Sequence, residues 1–204
     1  MYKRLKKDTK WSILKLGSFE IQNIKKEVVL YEEEWNLDTS RQNLGSVHGS
    51  TQMYRICETS YDWIPGTEIE TFQRNSLHTE EAKKELNTIF NILENHYSGN
   101  IIRCEIIKLL PKSEILKHTD GGPILHYSRR VHIPVITHPD ITFTVMSDTQ
   151  HFEESGWYEI NNQMPHSVNN PTEIDRIHII IDILPNEMLY LTNTGDKNDK
   201  PSNY

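Results

Sequence analysis

The sequence predicts a mainly β domain with flanking helices, its strands closing into a sandwich or barrel. Three observations predict it. From Ile101 to Pro185, short β-branched and apolar runs recur between turn residues. No helix-period segments alternate with those runs, which argues against a parallel α/β sheet. A length of 204 residues suits one domain with a full hydrophobic core.

Taken in order, residues 11–33 alternate apolar and charged positions, as in Trp11-Ser12-Ile13-Leu14-Lys15-Leu16 and Val28-Val29-Leu30-Tyr31. They read as a strand or short helix, followed by an element running into Glu32-Glu33-Glu34-Trp35. The stretch from Trp35 through Arg41 and Gln42 to Val47-His48-Gly49-Ser50-Thr51 is too polar and irregular for a core element, so it reads as a loop. Met53-Tyr54-Arg55-Ile56-Cys57 alternates as a strand does, and the Pro65-Gly66 pair marks a turn. Thr79 caps the clearest helix: Glu80 and Glu81 give it an acidic first turn, and Leu86, Ile89, Phe90 and Leu93 form an apolar stripe suited to core packing. Ser98-Gly99-Asn100 ends it. Strands are then expected at 101–110, 114–118, 131–135, 141–145, 157–160 and 176–182, the first turned by Pro111-Lys112-Ser113. The organisation expected is an integral N-terminal part over 1–100, a strand-rich core over 101–190, and a disordered tail over 191–204 that is almost free of apolar residues.

Composition narrows the function classes. A net charge of −7 opposes a nucleic-acid or anionic-membrane surface. The basic run Tyr2-Lys3-Arg4-Leu5-Lys6-Lys7 reads as a solvated terminus. No apolar run reaches the roughly 18 residues of a membrane span, and the N-terminus lacks a signal-peptide stretch. A soluble, cytoplasmic protein is expected, with no nucleic acid or membrane partner. Cys57 and Cys104 match no metal spacing and read as reduced, buried thiols.

The chemistry concentrates late in the chain, where seven of the ten histidines lie between His118 and His178. His118-Thr119-Asp120 places an imidazole and a carboxylate two residues apart, on one face if the segment is extended. His166 follows a later strand and is a candidate third ligand. Two histidines and one carboxylate make the facial triad that holds non-haem Fe(II) and leaves positions open for a co-substrate and O2. Arg176 starts the next strand, and an arginine there suits the far carboxylate of a bidentate keto acid such as 2-oxoglutarate, because its planar fork donates two parallel hydrogen bonds.

These residues resemble a known family. Leu110-Pro111-Lys112-Ser113, His118-Thr119-Asp120, Arg130-Val131-His132-Ile133-Pro134, Glu159-Ile160, His166-Ser167-Val168-Asn169-Asn170 and Arg176-Ile177-His178-Ile179-Ile180-Ile181-Asp182 together look like the aspartyl/asparaginyl β-hydroxylase type of Fe(II)- and 2-oxoglutarate-dependent oxygenase. The resemblance implies a double-stranded β-helix, the jelly-roll or cupin-like barrel, with Fe(II), 2-oxoglutarate and O2 as cofactor and co-substrates. Vertebrate-type members lack the carboxylate ligand, so Asp120 places the chain nearer the bacterial cis-proline hydroxylases; it also disfavours a halogenase, which vacates that position.

By the same resemblance, His118, Asp120 and His166 bind the metal and Arg176 clamps 2-oxoglutarate. His132 belongs to the co-substrate pocket, and Arg130 to a carboxylate of co-substrate or substrate, with a buried ion-pair network as the alternative. Trp35, Arg41, Gln42 and His48 are the expected substrate side, with a surface loop packed by Trp35 as the alternative. His126, His138 and His151 are expected in exposed loops. Residues 121–129 are equally a lid or a longer turn. The expected activity is hydroxylation of a proline-like amino acid, or of an Asp, Asn or Pro residue in a peptide or protein, with succinate and CO2 released. The alternative is a cupin-like binding or sensor protein without chemistry.

Overall fold

The computed structural model describes residues 11–30, 33–35, 37–43, 47–60 and 63–189. The basic N-terminal run and the tail expected over 191–204 lie outside the described residues. The strands are β1 (Ile13–Ser18), β2 (Thr51–Thr59), β3 (Thr71–Gln73), β4 (Gly99–Leu109), β5 (Ser113–His118), β6 (Arg129–Ile136), β7 (Thr142–Val145), β8 (Asp148–Gln150), β9 (Gly156–Ile160), β10 (His166–Asn170) and β11 (Arg176–Pro185). The helices are α1 (Gln22–Val28), α2 (Ser40–Asn43), α3 (Glu80–Tyr97) and α4 (Pro123–Tyr127).

The strands form two antiparallel sheets, of order β1-β9-β6-β11-β4-β2-β3 and β5-β10-β7-β8. Between β4 and β11 the chain crosses repeatedly from one sheet to the other, so that β9-β6-β11-β4 and β5-β10-β7-β8 are the two four-stranded sheets of a jelly roll. The N-terminal strands lengthen the larger sheet, β1 against β9 and β2 with β3 beyond β4.

The larger sheet is covered on both sides, and β11, buried throughout, shows how. Ile177, Ile179, Ile181 and Ile183 pack in the core formed with α1 and α3. Arg176, His178, Ile180 and Asp182 alternate with them and therefore face the barrel interior. On β6, Val131, Ile133 and Val135 join the helical core while Arg130 and His132 turn inward. One period-2 pattern thus packs the helices and lines the cavity. A second core, including Ile115, Phe143, Phe152, Tyr158 and Val168, lies between the sheets.

Helices α1 and α3 cap each other. Glu85 of α3 accepts from the backbone N–H groups of Asn23 and Ile24 at 2.9 Å, satisfying donors at the start of α1. Glu27 of α1, buried, accepts from the backbone N–H groups of His78 and Thr79 and from the Thr79 hydroxyl. Thr79 in turn accepts from the Ala82 N–H, as its N-cap position predicts. At the far end of α3 the left-handed residue is Ser98, φ 46°, while Gly99 is needed for another reason. A Cβ there would stand 2.5 Å from the Leu184 carbonyl oxygen, so only glycine lets β4 approach β11 this closely.

Candidate metal centre and co-substrate cleft

The site opens between the two sheets, in a cleft enclosing about 370 Å³ counted to its open mouth. β5 ends at His118 and β10 begins at His166, and the two residues are Cα partners in the antiparallel pair. Their rings lie 4.3 Å apart between centroids. Asp120 stands beyond the end of β5, where its backbone N–H donates to the Asn162 carbonyl at 3.2 Å. The carboxylate is therefore delivered by the loop and not by strand alternation, as His-x-Asp spacing on an extended segment would have it. The outcome is still convergent. His118 Nε2 is 3.9 Å from Asp120 Oδ1, His166 Nε2 is 3.8 Å from Asp120 Oδ2, and one ligand atom from each residue lies within 4.8 Å of the others.

The hydrogen bonds behind the rings decide what they offer. His118 Nδ1 bonds the Leu116 carbonyl at 2.7 Å and His166 Nδ1 bonds the Met164 carbonyl at 2.9 Å. A carbonyl only accepts, so each Nδ1 carries a proton, and Nε2 is the ring nitrogen that each histidine turns toward Asp120. Burial also pushes the His166 ring below the usual histidine range, against the pull of Asp120, keeping it neutral. Two imidazoles fixed by outer hydrogen bonds and one carboxylate fit a divalent iron with open positions.

Arg176 lines the same cleft, fully buried. Its Nη2 donates to His178 Nδ1 at 2.7 Å, and its guanidinium lies 5.9 Å from the Phe143 ring centroid. Among the described residues no carboxylate pairs with it. Desolvation, with the nearby Arg41 charge, lowers its pKa to about 9. A buried guanidinium without a counter-ion is costly and suits an anionic ligand. His132 adds two buried ring nitrogens that have no hydrogen-bond partner among the described residues, held among Phe143, Phe152 and His178. Burial and Arg176 hold that ring neutral.

The remaining expected residues divide. Arg130 lines the cleft, but its Nε and Nη2 hold Asp182 at 2.9 and 3.1 Å and its Nη1 holds Asp120, so the buried network accounts for its donors better than a free carboxylate clamp. Arg41 and His48 reach the cleft, with Arg41 Nη2 3.3 Å from His48 Nδ1 and the His48 ring set edge-on to His118 at 4.9 Å. His48 is driven down to about 3, mainly by burial and then by Arg41, and is neutral. Trp35 and Gln42 do not line the cleft. Trp35 is core, covered by Lys108 Nζ at 4.7 Å, because an indole this buried contributes more by packing than by recognition. Gln42 Nε2 donates to the Thr51 carbonyl at 2.9 Å and so fastens α2 to β2.

Residues 121–129 form α4 and the entry to β6. Ile124 and Leu125 are buried and the Leu125 carbonyl accepts from Asn162 and Gln163, so this segment is a docked helix. Sequence reasoning missed Asp182, a fully buried acid facing Arg130; its two-residue spacing from Ile180, His178 and Arg176 was the available signal.

Comparison with solved structures finds the same fold in other proteins. The chain is similar to an oxidoreductase of the 2OG-Fe(II) oxygenase family from Burkholderia pseudomallei, with TM-score 0.56 and 12% identity over 85% of this chain and 84% of that one. It is similar to a Pseudomonas putida prolyl-4-hydroxylase, with TM-score 0.56 and 11% identity over 86% and 94%. It is also similar to a Trichoplax adhaerens prolyl hydroxylase solved with a hypoxia-inducible-factor peptide, with TM-score 0.53 and 11% identity over 87% and 86%. At such identities these likenesses establish the jelly-roll fold. A search of curated protein sequences finds no match. The family model described as aspartyl/asparaginyl beta-hydroxylase matches residues 19–185, a span running from the end of β1 through the last residue of β11. The chain therefore belongs to the aspartyl/asparaginyl beta-hydroxylase family.

Proposed function

We propose that this protein hydroxylates an unactivated C–H bond of a proline-like amino acid, or of an Asp, Asn or Pro residue in a peptide or protein, in a reducing, cytoplasmic setting. One observation carries the reading: a single cleft joins three convergent metal-ligand atoms to a buried guanidinium that has no carboxylate partner among the described residues. His118, Asp120 and His166 would hold Fe(II). Arg176 would take the far carboxylate of 2-oxoglutarate, with His132 beside it. Both cysteines are free and buried, in keeping with a reducing compartment.

Bound Fe(II), with 2-oxoglutarate and O2, supplies the oxidant that turns C–H into C–OH and releases succinate and CO2. The chain's own residues orient and enclose. Ile107, Ile115, Val168 and Ile180 supply apolar wall that excludes water from the reacting centre. Phe143 lines the cleft with them, ordered by stacking on Phe152 at 4.9 Å. Arg41, which also stands 3.6 Å from the buried Glu105 carboxylate, and His48, beside His118, would hold a substrate carboxylate or backbone carbonyl, so that the C–H bond is presented to the metal side.

The test is a panel of free amino acids and of Pro-, Asp- and Asn-containing peptides, with Fe(II), ascorbate and 2-oxoglutarate. Succinate formation stimulated by one class, with a product heavier by one oxygen atom, supports the reading and names the substrate. Tight 2-oxoglutarate binding with no turnover across the panel would favour a binding protein instead.

A further inference from the structure

Asp182 lies midway along β11 and is fully buried. Its Cα partners are Arg130 on β6 and Arg103 on β4, so the three residues form one row across three adjacent strands. Asp182 Oδ1 accepts from Arg130 Nε at 2.9 Å and Oδ2 from Arg130 Nη2 at 3.1 Å. Oδ2 also accepts from Arg103 Nε at 2.7 Å and Nη2 at 2.5 Å. The fork on Asp182 leaves Arg130 Nη1 for Asp120 Oδ2. Charges thus alternate from Arg103 through Asp182 and Arg130 to Asp120.

We propose that Asp182 is a positioning residue of the metal centre: it holds Arg130 in the one orientation that fixes the Asp120 carboxylate for the metal. The inference rests on the proposed iron site. Two physical effects act in the same direction. A carboxylate that gives one oxygen to a metal needs a donor on the other, and Arg130 Nη1 is placed to be that donor only while its fork is anchored. The Asp182 charge also offsets the Arg130 charge, which otherwise repels a divalent cation beside it. Asp182 reaches Asp120 through Arg130, so this role is separate from ligation.

The experiment is Co(II) titration of the anaerobic, 2-oxoglutarate-free protein, followed by calorimetry and by the visible absorption of the bound ion. Asp182→Asn removes the negative charge between the Arg103 and Arg130 guanidiniums. The double variant Asp182→Asn with Arg103→Met restores the charge balance of the row and keeps the test open if the single variant does not fold. Both are expected to bind Co(II) about tenfold or more weakly, the usual effect of losing an outer partner of a metal ligand, with a changed absorption band. Glu159→Gln breaks another buried pair, with Arg129 and Tyr97, that faces away from the cleft. It is expected to lower stability without changing the Co(II) constant, which separates positioning from general destabilisation. A folded double variant that binds Co(II) as the parent does overturns the proposal. Failure of the parent to bind Co(II) overturns instead the iron-site reading beneath it.

Discussion

Arg176 and His178, two residues apart on β11, point the same way into the barrel, and the guanidinium donates to the imidazole Nδ1 at 2.7 Å. The proton of neutral His178 therefore sits on Nε2, and Arg176 has a neutral brace in place of a counter-ion. Arg176→Lys keeps a charge but not the planar fork. It is expected to weaken 2-oxoglutarate binding ten- to a hundredfold, about 1.5–3 kcal/mol for lost charge-assisted hydrogen bonds. Anaerobic calorimetry with 2-oxoglutarate measures this; an unchanged dissociation constant would remove Arg176 from the co-substrate site.

Removal of a ligand has a different signature. Asp120→Ala or His166→Ala is expected to abolish iron binding and succinate formation together while leaving the melting profile cooperative. Metal analysis after gel filtration, run beside the succinate assay, reads both. Retained activity in either variant would refute the triad.

Acid should destabilise the protein through His132 and His178, whose rings are held well below 6.5, chiefly by burial and then by Arg176. A lowered folded-state pKa means that the unfolded chain binds protons first. Stability is full above about pH 6.5 and falls as pH drops below it, down to the folded-state values, with each histidine contributing a slope approaching about 1.4 kcal/mol per pH unit. Urea titrations between pH 7.5 and 5 test the sign. His132→Phe should flatten the slope, and a pH-independent midpoint would contradict the neutral assignment.

The mutual capping of α1 and α3 predicts a stability effect remote from the chemistry. Glu27→Ala leaves the His78 and Thr79 N–H groups without their acceptor and opens a buried gap. A loss of about 2–3 kcal/mol is expected, with the Co(II) and 2-oxoglutarate constants unchanged, as urea unfolding and calorimetry would show.

Much of this architecture is legible in the chain itself. The strands β4, β5, β6, β7, β9 and β11 and helix α3 carry strong apolar periodicity or clear turn and cap residues. The short strands β3 and β8 do not, because Thr71–Gln73 and Asp148–Gln150 are polar edge segments ordered by their ladder partners. His166 reads from sequence as following a strand, yet it opens β10, whose His-Ser-Val-Asn-Asn composition has little strand propensity and is held by pairing on both sides.

Sequence alone determined the chemistry on offer: two histidines, one carboxylate and a later arginine, at intervals that match one oxygenase family, on strands whose period-2 pattern sends alternate residues inward. Only the tertiary structure decided which of them meet. It brought Arg41 and His48 to the cleft and put Trp35 in the core; it delivered Asp120 from a loop, and set Asp182 opposite two arginines at once. Side-chain direction along a strand is a local property, fixed by backbone geometry. Contact across strands depends on register and sheet closure, which are set by the burial of the whole chain.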